Sequence, residues 1–398
     1  MRDQDLLLAP SEGLSRLKWE YERERTGYDD LLAFGTADMD YASPAPILSA
    51  LRSVIDRGHL GYPMVSDTFY STIHDWLFRT ASWEIDARCC VGQNVGIYMS
   101  AWNILETLTR PGDKITILTP VHFCFKRMIN LNGRVAIECP LMLDGERYRV
   151  NYSALEACFA SGSRMFWLCN PHNPVGRVWT REELQKIAEL CIQYNVYIMS
   201  DDVYCGLVFP GFTYTPIASL SKEISYRTVT FYSTSKCYNT TGLKHSFLVT
   251  ENPELFKKYN ESLERLDLEY GLNIMGMAAA IAAYSQCDDW LRTLMEQIRK
   301  NHQFMADYFA QNLPGARIMP SEATYFAWAD MRALGLPPQQ LSYLIEQEAH
   351  MVVENGAVLG KGGAGFIRVN LATSPENLRQ GAERFRDFWK RHLVEELS

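Results

Sequence analysis

The chain has 398 residues, of which 47% are hydrophobic and 22% are charged. This length and composition exclude a small domain held by disulfides or metal, and favour a soluble chain of two domains or one large domain with an appendage. The formal net charge of -8, from 39 Lys and Arg against 47 Asp and Glu residues, gives no electrostatic basis for a nucleic-acid or anionic-membrane surface, so we expect neither partner.

The cysteines and the N-terminal segment favour the cytoplasm. Ten cysteines are scattered through the chain without a C-x-x-C pair or a Cys/His spacing typical of a metal site, so we expect reduced thiols and no bound metal. The adjacent Cys89 and Cys90 are interpreted as strand core. The acidic start and the short apolar run from Leu6 to Ala9 fit neither a signal peptide nor a membrane span, and we expect neither.

Short apolar runs alternate with helical patterns from about residue 85 to 250, as in a βαβ sheet. The predicted strands are Lys114 to Leu118, Arg164 to Cys169, Val196 to Ser200, Thr228 to Tyr232 and Phe247 to Thr250. Thr180 and Glu183 form a capping box ahead of an apolar stripe that runs from Leu184 to Cys191. This pattern predicts a helix that packs on the sheet.

The pattern changes after about residue 280. A long amphipathic helix is predicted over roughly 288–312, followed by strands at Thr324 to Ala329 and Phe366 to Leu371. We therefore predict a large α/β domain over residues 46–280 and a smaller α+β domain over residues 281–398. The N-terminal arm, residues 1–45, is predicted to join the smaller domain.

Polar residues follow three of the predicted strands, beginning at Asn170, Asp201 and Ser233. Because ligands of an open α/β sheet bind at the carboxyl ends of its strands, an amide, a carboxylate with a phenol, and an amine with hydroxyls are expected to share one crevice. Pyridoxal 5'-phosphate needs this set: an amine for its aldehyde, a carboxylate for its ring nitrogen, and hydroxyls and backbone amides for its phosphate. Taken singly, Lys236 could be a solvated charge, Asp201 a helix cap and Asn173 a turn residue.

From about Ala37 to Leu378 the sequence resembles the fold-type I pyridoxal-phosphate enzymes of the class I/II aminotransferase superfamily, in the order and spacing of these residues. Within that superfamily it is similar to the cystathionine β-lyase-like branch of carbon–sulfur lyases. The stretches that carry this second likeness are Ala37 to Tyr41, His59 to Tyr62, Cys169 to Trp179, Pro210 to Ser221 and Glu322 to Trp328. The resemblance implies a mostly parallel seven-stranded sheet flanked by helices in the large, cofactor-binding domain.

The resemblance also implies a role for each cofactor-binding residue. Lys236 is the Schiff-base lysine and proton carrier, Asp201 is the partner of the pyridinium, and Asn173 and Tyr204 bind the ring oxygen. The implied phosphate ligands are Ser233, Ser235, Lys244 and the backbone amides of Val95 and Gly96. His122 stands where the family usually stacks a tyrosine on the ring, and it is either that platform or a core histidine.

Substrate and subunit contacts are implied as well. Arg368 is expected to hold the substrate carboxylate as a bidentate fork, with Asn173 and Ala37 beside it. A structural ion pair is the alternative for Arg368. Tyr62 is expected to reach the phosphate from the neighbouring subunit, which implies a homodimer with shared active sites, and a turn-anchoring aromatic is the alternative there.

The favoured function is β-elimination from an S-substituted cysteine or related amino acid, giving a thiol, a 2-oxo acid and ammonia, in amino-acid metabolism. Tyr204 departs from the lyase branch, which usually has Glu and then His after the pyridinium partner, and it favours an aminotransferase instead. Another pyridoxal-phosphate reaction on a specialised amino acid is a further alternative. A regulatory binding protein that keeps the fold and cofactor is the third class, and it predicts that Lys236→Ala leaves the biological activity intact.

Overall fold

The computed structural model describes residues 6–10, 12–270 and 273–393. The first helical segment is a short π-helix at Leu17–Tyr21. The α-helices of the first half are α1 (Glu22–Thr26), α2 (Ala45–Asp56), α3 (Asp67–Ala81), α4 (Ala87–Cys90), α5 (Ile97–Leu108), α6 (Cys124–Leu131), α7 (Tyr152–Ala160) and α8 (Arg181–Gln193). Those of the second half are α9 (Lys222–Ser225), α10 (Thr234–Cys237), α11 (Pro253–Glu264), α12 (Ile274–Gln286), α13 (Asp288–Asn312), α14 (Leu341–Ala349) and α15 (Pro375–Leu393).

A seven-stranded sheet forms the centre of the molecule. Its strands, in chain order, are β2 (Val91–Asn94), β3 (Lys114–Thr119), β4 (Val135–Pro140), β7 (Ser163–Cys169), β8 (Tyr197–Asp201), β9 (Thr228–Tyr232) and β10 (Ser246–Val249). Their order across the sheet is β2-β10-β9-β8-β7-β3-β4. Only the pairings of β10 are antiparallel. The predicted mostly parallel, seven-stranded sheet is therefore confirmed, and the limits of its five predicted strands differ from the observed ones by at most one residue.

A second, four-stranded sheet has the order β11-β12-β15-β14. Its strands are β11 (Arg317–Ile318), β12 (Phe326–Asp330), β14 (Glu354–Asn355) and β15 (Phe366–Asn370), and two smaller sheets pair β1 (Leu32–Ala33) with β13 (Met351–Val352) and β5 (Met142–Asp144) with β6 (Arg147–Arg149). Helix α13 has the limits that the sequence predicts. The division into an arm and two domains at residues 45 and 280 stays a prediction.

Helices cover both faces of the central sheet with apolar side chains. Helix α8 begins at the predicted capping box, in which the Thr180 side chain accepts the Glu183 N–H and the Glu183 carboxylate accepts the Thr180 N–H. Its buried stripe of Leu184, Ile187 and Ala188 belongs to one core cluster with strands β7 and β8. The opposite face of the sheet packs on α5, α6 and α11.

The cysteines are all free thiols, and most are buried. The strand interpretation of Cys89 and Cys90 is wrong, because Asp86 caps the short helix α4 that contains both. A helical turn points successive side chains in different directions, so Cys90 is buried while Cys89 is exposed. Among the described residues, no helix combines the length and the apolar character needed to cross a membrane.

Candidate active site

The polar ends of three neighbouring parallel strands meet at one edge of the central sheet. Strand β8 ends at Asp201, which lies opposite Cys169 at the end of β7 and Phe231 near the end of β9. The loop after β7 supplies Asn173, and the turn after β9 leads into α10, which carries Lys236. The sequence prediction of a common crevice is therefore met by the fold.

A cavity of about 220 Å³ lies at this edge. Its lining residues are Val95, Gly96, Ile97, Tyr98, Met99, Asp201, Val203, Ser233, Ser235, Lys236, Thr241, Lys244 and His245. Most of the predicted cofactor ligands are among them. The cavity combines one partly buried amine, one buried carboxylate and several hydroxyls within walls that are largely apolar.

Lys236 is held inside this site as a weakly hydrated amine. Its Nζ donates to the carbonyl oxygen of Ala37 at 2.9 Å, which brings the N-terminal segment onto the lysine. Burial lowers the pKa of Lys236 to about 8, although the carboxylates of Asp38 and Asp201 act in the opposite direction. A neutral amine is therefore available near physiological pH, as a nucleophile or a proton acceptor requires.

Asp201 is a buried carboxyl group at the floor of the cavity. Burial raises its pKa to about 7, while the backbone N–H of Val203, 3.3 Å from Oδ1, and the Lys236 amine favour the charged form. A desolvated carboxylate of this kind is stabilised by an incoming cation. The protonated nitrogen of a heteroaromatic ring is such a cation.

The neighbouring Asp202 carries a separate network. Its carboxyl group accepts hydrogen bonds from Ser200 and Tyr214, and the Tyr214 hydroxyl lies 2.9 Å from that of Tyr232. Burial raises the pKa of Asp202 to about 8. These contacts hold the end of β8 and the turn that places Asp201.

The N-terminus of α5 lies at one end of the cavity, where the sequence predicts phosphate ligands. Gly96 precedes this helix with φ of 127°, and nothing lies within 4 Å of the position that a Cβ would occupy there. The predicted amide donors are partly engaged within the chain, because the Val95 N–H donates to Asn94 Oδ1 at 2.7 Å and the Gly96 N–H to Ser246 Oγ at 3.2 Å. The next two N–H groups, at the start of the helix, have no intrahelical acceptor.

Hydroxyl and amine groups face this helix end from the other side. The Ser233 hydroxyl donates to the carbonyl oxygen of His245 at 2.7 Å and accepts the N–H of Ser235 at 3.1 Å. Lys244 follows a short turn in a left-handed conformation, with φ of 49°, and is exposed. Three of the predicted phosphate ligands thus line the same end of the cavity as the N-terminus of α5, and we refer to this end as the proposed anion-binding corner.

Arg368 lies fully buried on β15 and contacts Asn173, one of the predicted cofactor ligands. Its guanidinium donates to Asn173 Oδ1 at 3.1 Å and to the carbonyl oxygen of Gly35 at 2.9 Å. It also lies 4.2 Å from the centre of the Phe326 ring. Its Nε is buried without a hydrogen-bond partner among the described residues. An anionic ligand would satisfy this donor.

Asn173 and Tyr204 form a second contact within the site. Asn173 Nδ2 donates to the Tyr204 hydroxyl at 3.4 Å. The Tyr204 ring is buried and packs at about 5.9 Å against the rings of Tyr325 and Phe326. This packing fixes the phenol, and burial keeps it protonated by raising its pKa. Both groups remain hydrogen-bond donors.

His122 lies next to the cavity residue Tyr98, whereas Tyr62 lies at the surface away from the cavity. The His122 backbone N–H donates to the carbonyl oxygen of Asn173, its ring lies 6.3 Å from that of Tyr98 at a tilt of 37°, and its Nδ1 is buried without a partner among the described residues. Burial holds the pKa of His122 well below its usual range. Tyr62 lies outside the lysine cavity and is 90% exposed.

Several residues of this region are absent from the sequence prediction, and Tyr98 and Glu354 are the two that matter most for the polar contacts. Tyr98 lines the cavity, and its position in the first turn after the Val95-Gly96 segment is a signal that could have found it. Glu354 contacts Arg368 because β14 pairs with β15. Nothing in the local sequence marks Glu354, because only the register of two strands brings it there. Among the described residues no group of three His, Cys, Asp or Glu side chains could hold a metal ion.

Comparison with known proteins places this geometry in a family. The family described as aminotransferase class I and II matches residues 31–385. The chain belongs to this family. It is also 32% identical over 375 residues to the cystathionine beta-lyase PatB of Bacillus subtilis (strain 168), with 94% of this chain and 96% of that protein covered.

Solved structures of this family have the same fold. A PLP-bound putative aminotransferase from Clostridium difficile 630 superposes with a TM-score of 0.93 and 29% identity over 98% of this chain and all of that one. Cystalysin from Treponema denticola, which contains a pyridoxal 5'-phosphate cofactor, superposes with a TM-score of 0.93 and 27% identity, again over 98% of this chain and 100% of the other. The predicted fold class is thereby confirmed.

Proposed function

We propose that this chain is a pyridoxal 5'-phosphate enzyme that catalyses β-elimination on an S-substituted cysteine, releasing a thiol, a 2-oxo acid and ammonia. The observation that carries the cofactor assignment is the cavity itself, which joins the partly buried Lys236 amine, the buried Asp201 carboxylate and the N-terminus of α5. The likeness to a cystathionine beta-lyase over 94% of the chain supports the lyase reaction.

The residues present fit this cofactor. The neutral amine of Lys236 suits the aldehyde, Asp201 suits a protonated ring nitrogen, and Asn173 with Tyr204 offers donors for the ring oxygen. Ser233, Ser235 and Lys244 suit the phosphate together with the backbone at Val95 and Gly96. His122, beside the cavity, is the proposed neighbour of the ring.

Different residues of the chain bind the substrate carboxylate, position the substrate and accept its Cα proton. When bound, the cofactor supplies an electron sink for charge at the substrate Cα. Arg368 binds the α-carboxylate through donors that include its unpaired Nε, and Asn173 and the Ala37 segment confine the substrate beside it. Lys236 accepts the Cα proton, because its pKa of about 8 leaves about a tenth of the amine neutral at pH 7 and about half at pH 8.

An aminotransferase reaction is the second candidate, favoured by the phenol of Tyr204 beside Asn173. The two reactions use the same residues up to loss of the Cα proton and differ in where that proton goes. Elimination expels the sulfur substituent as a thiol and then consumes only water to give the 2-oxo acid and ammonia. Transamination returns the proton, keeps the substituent and requires a 2-oxo acid to take up the amino group.

The deciding experiment supplies purified, cofactor-loaded protein with cystathionine or an S-alkyl cysteine and no 2-oxo acid. We expect a thiol, 2-oxo acid and ammonia in equal amounts over many turnovers. Lys236→Ala is the control and is expected to abolish turnover, which also opposes a purely regulatory role. A single partial turnover that resumes only after a 2-oxo acid is added would replace the lyase assignment with the aminotransferase.

We further propose a homodimer with shared active sites and a place in the cytoplasm. The exposed Tyr62, with Met64 beside it at 85% exposure, supports an intersubunit contact. Sedimentation of the purified protein and fractionation of cells test the two statements separately.

A further inference from the structure

An acidic side chain lies directly against the arginine that we assign to the substrate carboxylate. Strands β14 and β15 are antiparallel, and their register places Glu354 opposite Arg368. The Glu354 Oε2 atom lies 3.3 Å from an Arg368 terminal nitrogen. The Arg368 side chain is 1% exposed, whereas that of Glu354 is 21% exposed and therefore reaches solvent or a ligand.

The contacts of Arg368 show which groups surround its positive charge before substrate binds. The Asn173 and Gly35 oxygens accept from its terminal nitrogens but carry no net charge. Among the described residues, Glu354 is the negatively charged group in contact with the Arg368 guanidinium. One positive charge is thus already matched by one negative charge in a poorly hydrated place.

A substrate α-carboxylate at Arg368 adds a second negative charge to this pair. At the guanidinium itself two carboxylates then share one positive charge, and burial makes a local excess of negative charge costly. Burial also raises the pKa of Glu354, while Arg368 opposes the rise. Lys236 cannot balance the charge during the reaction, because it must be neutral to accept a proton.

The Glu354 carboxylate also retains hydrogen-bonding capacity. Within the described part of the chain, Arg368 is its hydrogen-bond donor, and the bond goes to Oε2. Oε1 remains for a further donor. An ammonium group carries three donors and a positive charge, so it would satisfy both the open acceptor and the charge imbalance.

We propose that Glu354 forms a subsite for a positively charged substrate side chain, so that the enzyme prefers cysteine derivatives whose sulfur substituent carries an ammonium group. This inference rests on the proposed function and names its substrate class. Neutral substituents of equal size lack the balancing charge, and anionic substituents add a third negative charge beside Glu354 and the α-carboxylate. The order of preference is therefore cationic, then neutral, then anionic.

Three substrates of similar size test this order on the cofactor-loaded protein. They are S-(2-aminoethyl)-L-cysteine, S-propyl-L-cysteine and S-(carboxymethyl)-L-cysteine, which differ mainly in the charge at the end of the substituent. We expect kcat/KM for the aminoethyl compound to exceed that for the propyl compound by about tenfold, as for one partly buried charge pair, and the carboxymethyl compound to be the poorest. Equal values for the first two would overturn the proposal without any variant.

Glu354→Gln tests whether this residue is the source of the preference. It removes the charge while keeping the shape, so the ratio of aminoethyl to propyl kcat/KM is expected to fall about tenfold, to the ratio that the different leaving thiols give by themselves. Glu346→Gln is the matched control, because Glu346 is 16% exposed and pairs with Arg25 away from the cavity. The control should keep the wild-type ratio. An equal loss for all three substrates in Glu354→Gln would show a structural ion pair only.

A binding measurement separates failure of this inference from failure of the proposed function. Dissociation constants of the three compounds can be obtained from the change in cofactor absorbance, whether or not elimination follows. If no thiol is released but the aminoethyl compound still binds most tightly and Glu354→Gln removes that difference, the subsite stands and the lyase assignment falls. If thiol is released from all three compounds with no preference for the cationic one, the lyase assignment stands and the subsite falls.

Discussion

The chemistry of the site depends on a few side chains that are removed from water. Lys236 and Asp201 line one cavity, and burial is the largest influence on both: it lowers the pKa of the amine to about 8 and raises that of the carboxyl to about 7. Each shift disfavours the charged form. A bound ligand that stabilises the charged form of either group would therefore offset the cost of burying it.

The lowered pKa of Lys236 predicts the pH dependence of cofactor uptake. Only the neutral amine attacks an aldehyde, so the rate at which cofactor-free protein takes up pyridoxal phosphate should rise about tenfold per pH unit below pH 8 and level off above it. A lysine at its ordinary pKa of 10.5 would give a rate that still climbs between pH 8 and pH 10. Rapid-mixing absorbance measures the rate, and such a climb would contradict the prediction. Lys236→Ala provides the baseline.

At the scale of elements, the positions of the functional groups follow from how helix ends and strand ends meet. Helix α12 packs against the segment that carries Lys244, so close that Gly276 contacts the wall of the cavity. A Cβ placed on Gly276 would lie 2.4 Å from the Cβ of His245. His245 in turn accepts the Ser233 hydroxyl through its carbonyl oxygen. A single helix contact thus supports the anion-binding corner.

Gly276→Ala should destabilise the protein and weaken cofactor binding together. The added methyl group forces α12 and the His245 segment apart, and overpacking of this kind costs roughly 1–3 kcal/mol of unfolding free energy. Chemical denaturation and a cofactor titration measure the two effects. Gly242→Ala is the matched control, because nothing lies within 4 Å of the Cβ that it would add. Equal stability of the two variants would show that this helix contact is not tight.

At the scale of the whole molecule, a second copy of the chain would complete the proposed site. Tyr62 is 90% exposed and shares a surface depression with Tyr270 and Asn273, away from the cavity that holds Lys236. A phenol placed there cannot serve a phosphate in its own chain without moving. A partner subunit that brings its own Tyr62 to this cavity would complete the anion-binding corner.

Hybrid dimers test this arrangement. Lys236→Ala and Tyr62→Ala protomers are each expected to be poorly active alone. When they are unfolded and refolded together, half of the dimers should be hybrids with one intact site, so activity should recover to about a quarter of the wild-type value. Turnover before and after mixing measures the recovery. An absence of recovery, with hybrids verified by mass, would place Tyr62 outside the partner's site.

Much of the fold and part of the site follow from the sequence because their determinants are local. Alternating apolar runs specify the strands, and the capping box at Thr180 specifies the start of α8. One general rule was enough to predict that the polar residues after the strands lie together: parallel strands place their carboxyl ends at one edge of the sheet. The wrong interpretation of Cys89 and Cys90 shows the limit of this approach, because four residues are too few to separate a helical turn from a strand.

By itself, then, the sequence determined the order of the elements, the residues that follow the strands and the family whose pattern they match. The tertiary structure alone decided that Ala37 contacts Lys236, that the Val95 and Gly96 amides already have acceptors, and that Glu354 pairs with Arg368. The reason is physical. Each of these contacts depends on strand register, on burial or on the path of the N-terminal segment, and these are set by the packing of the whole chain rather than by neighbouring residues.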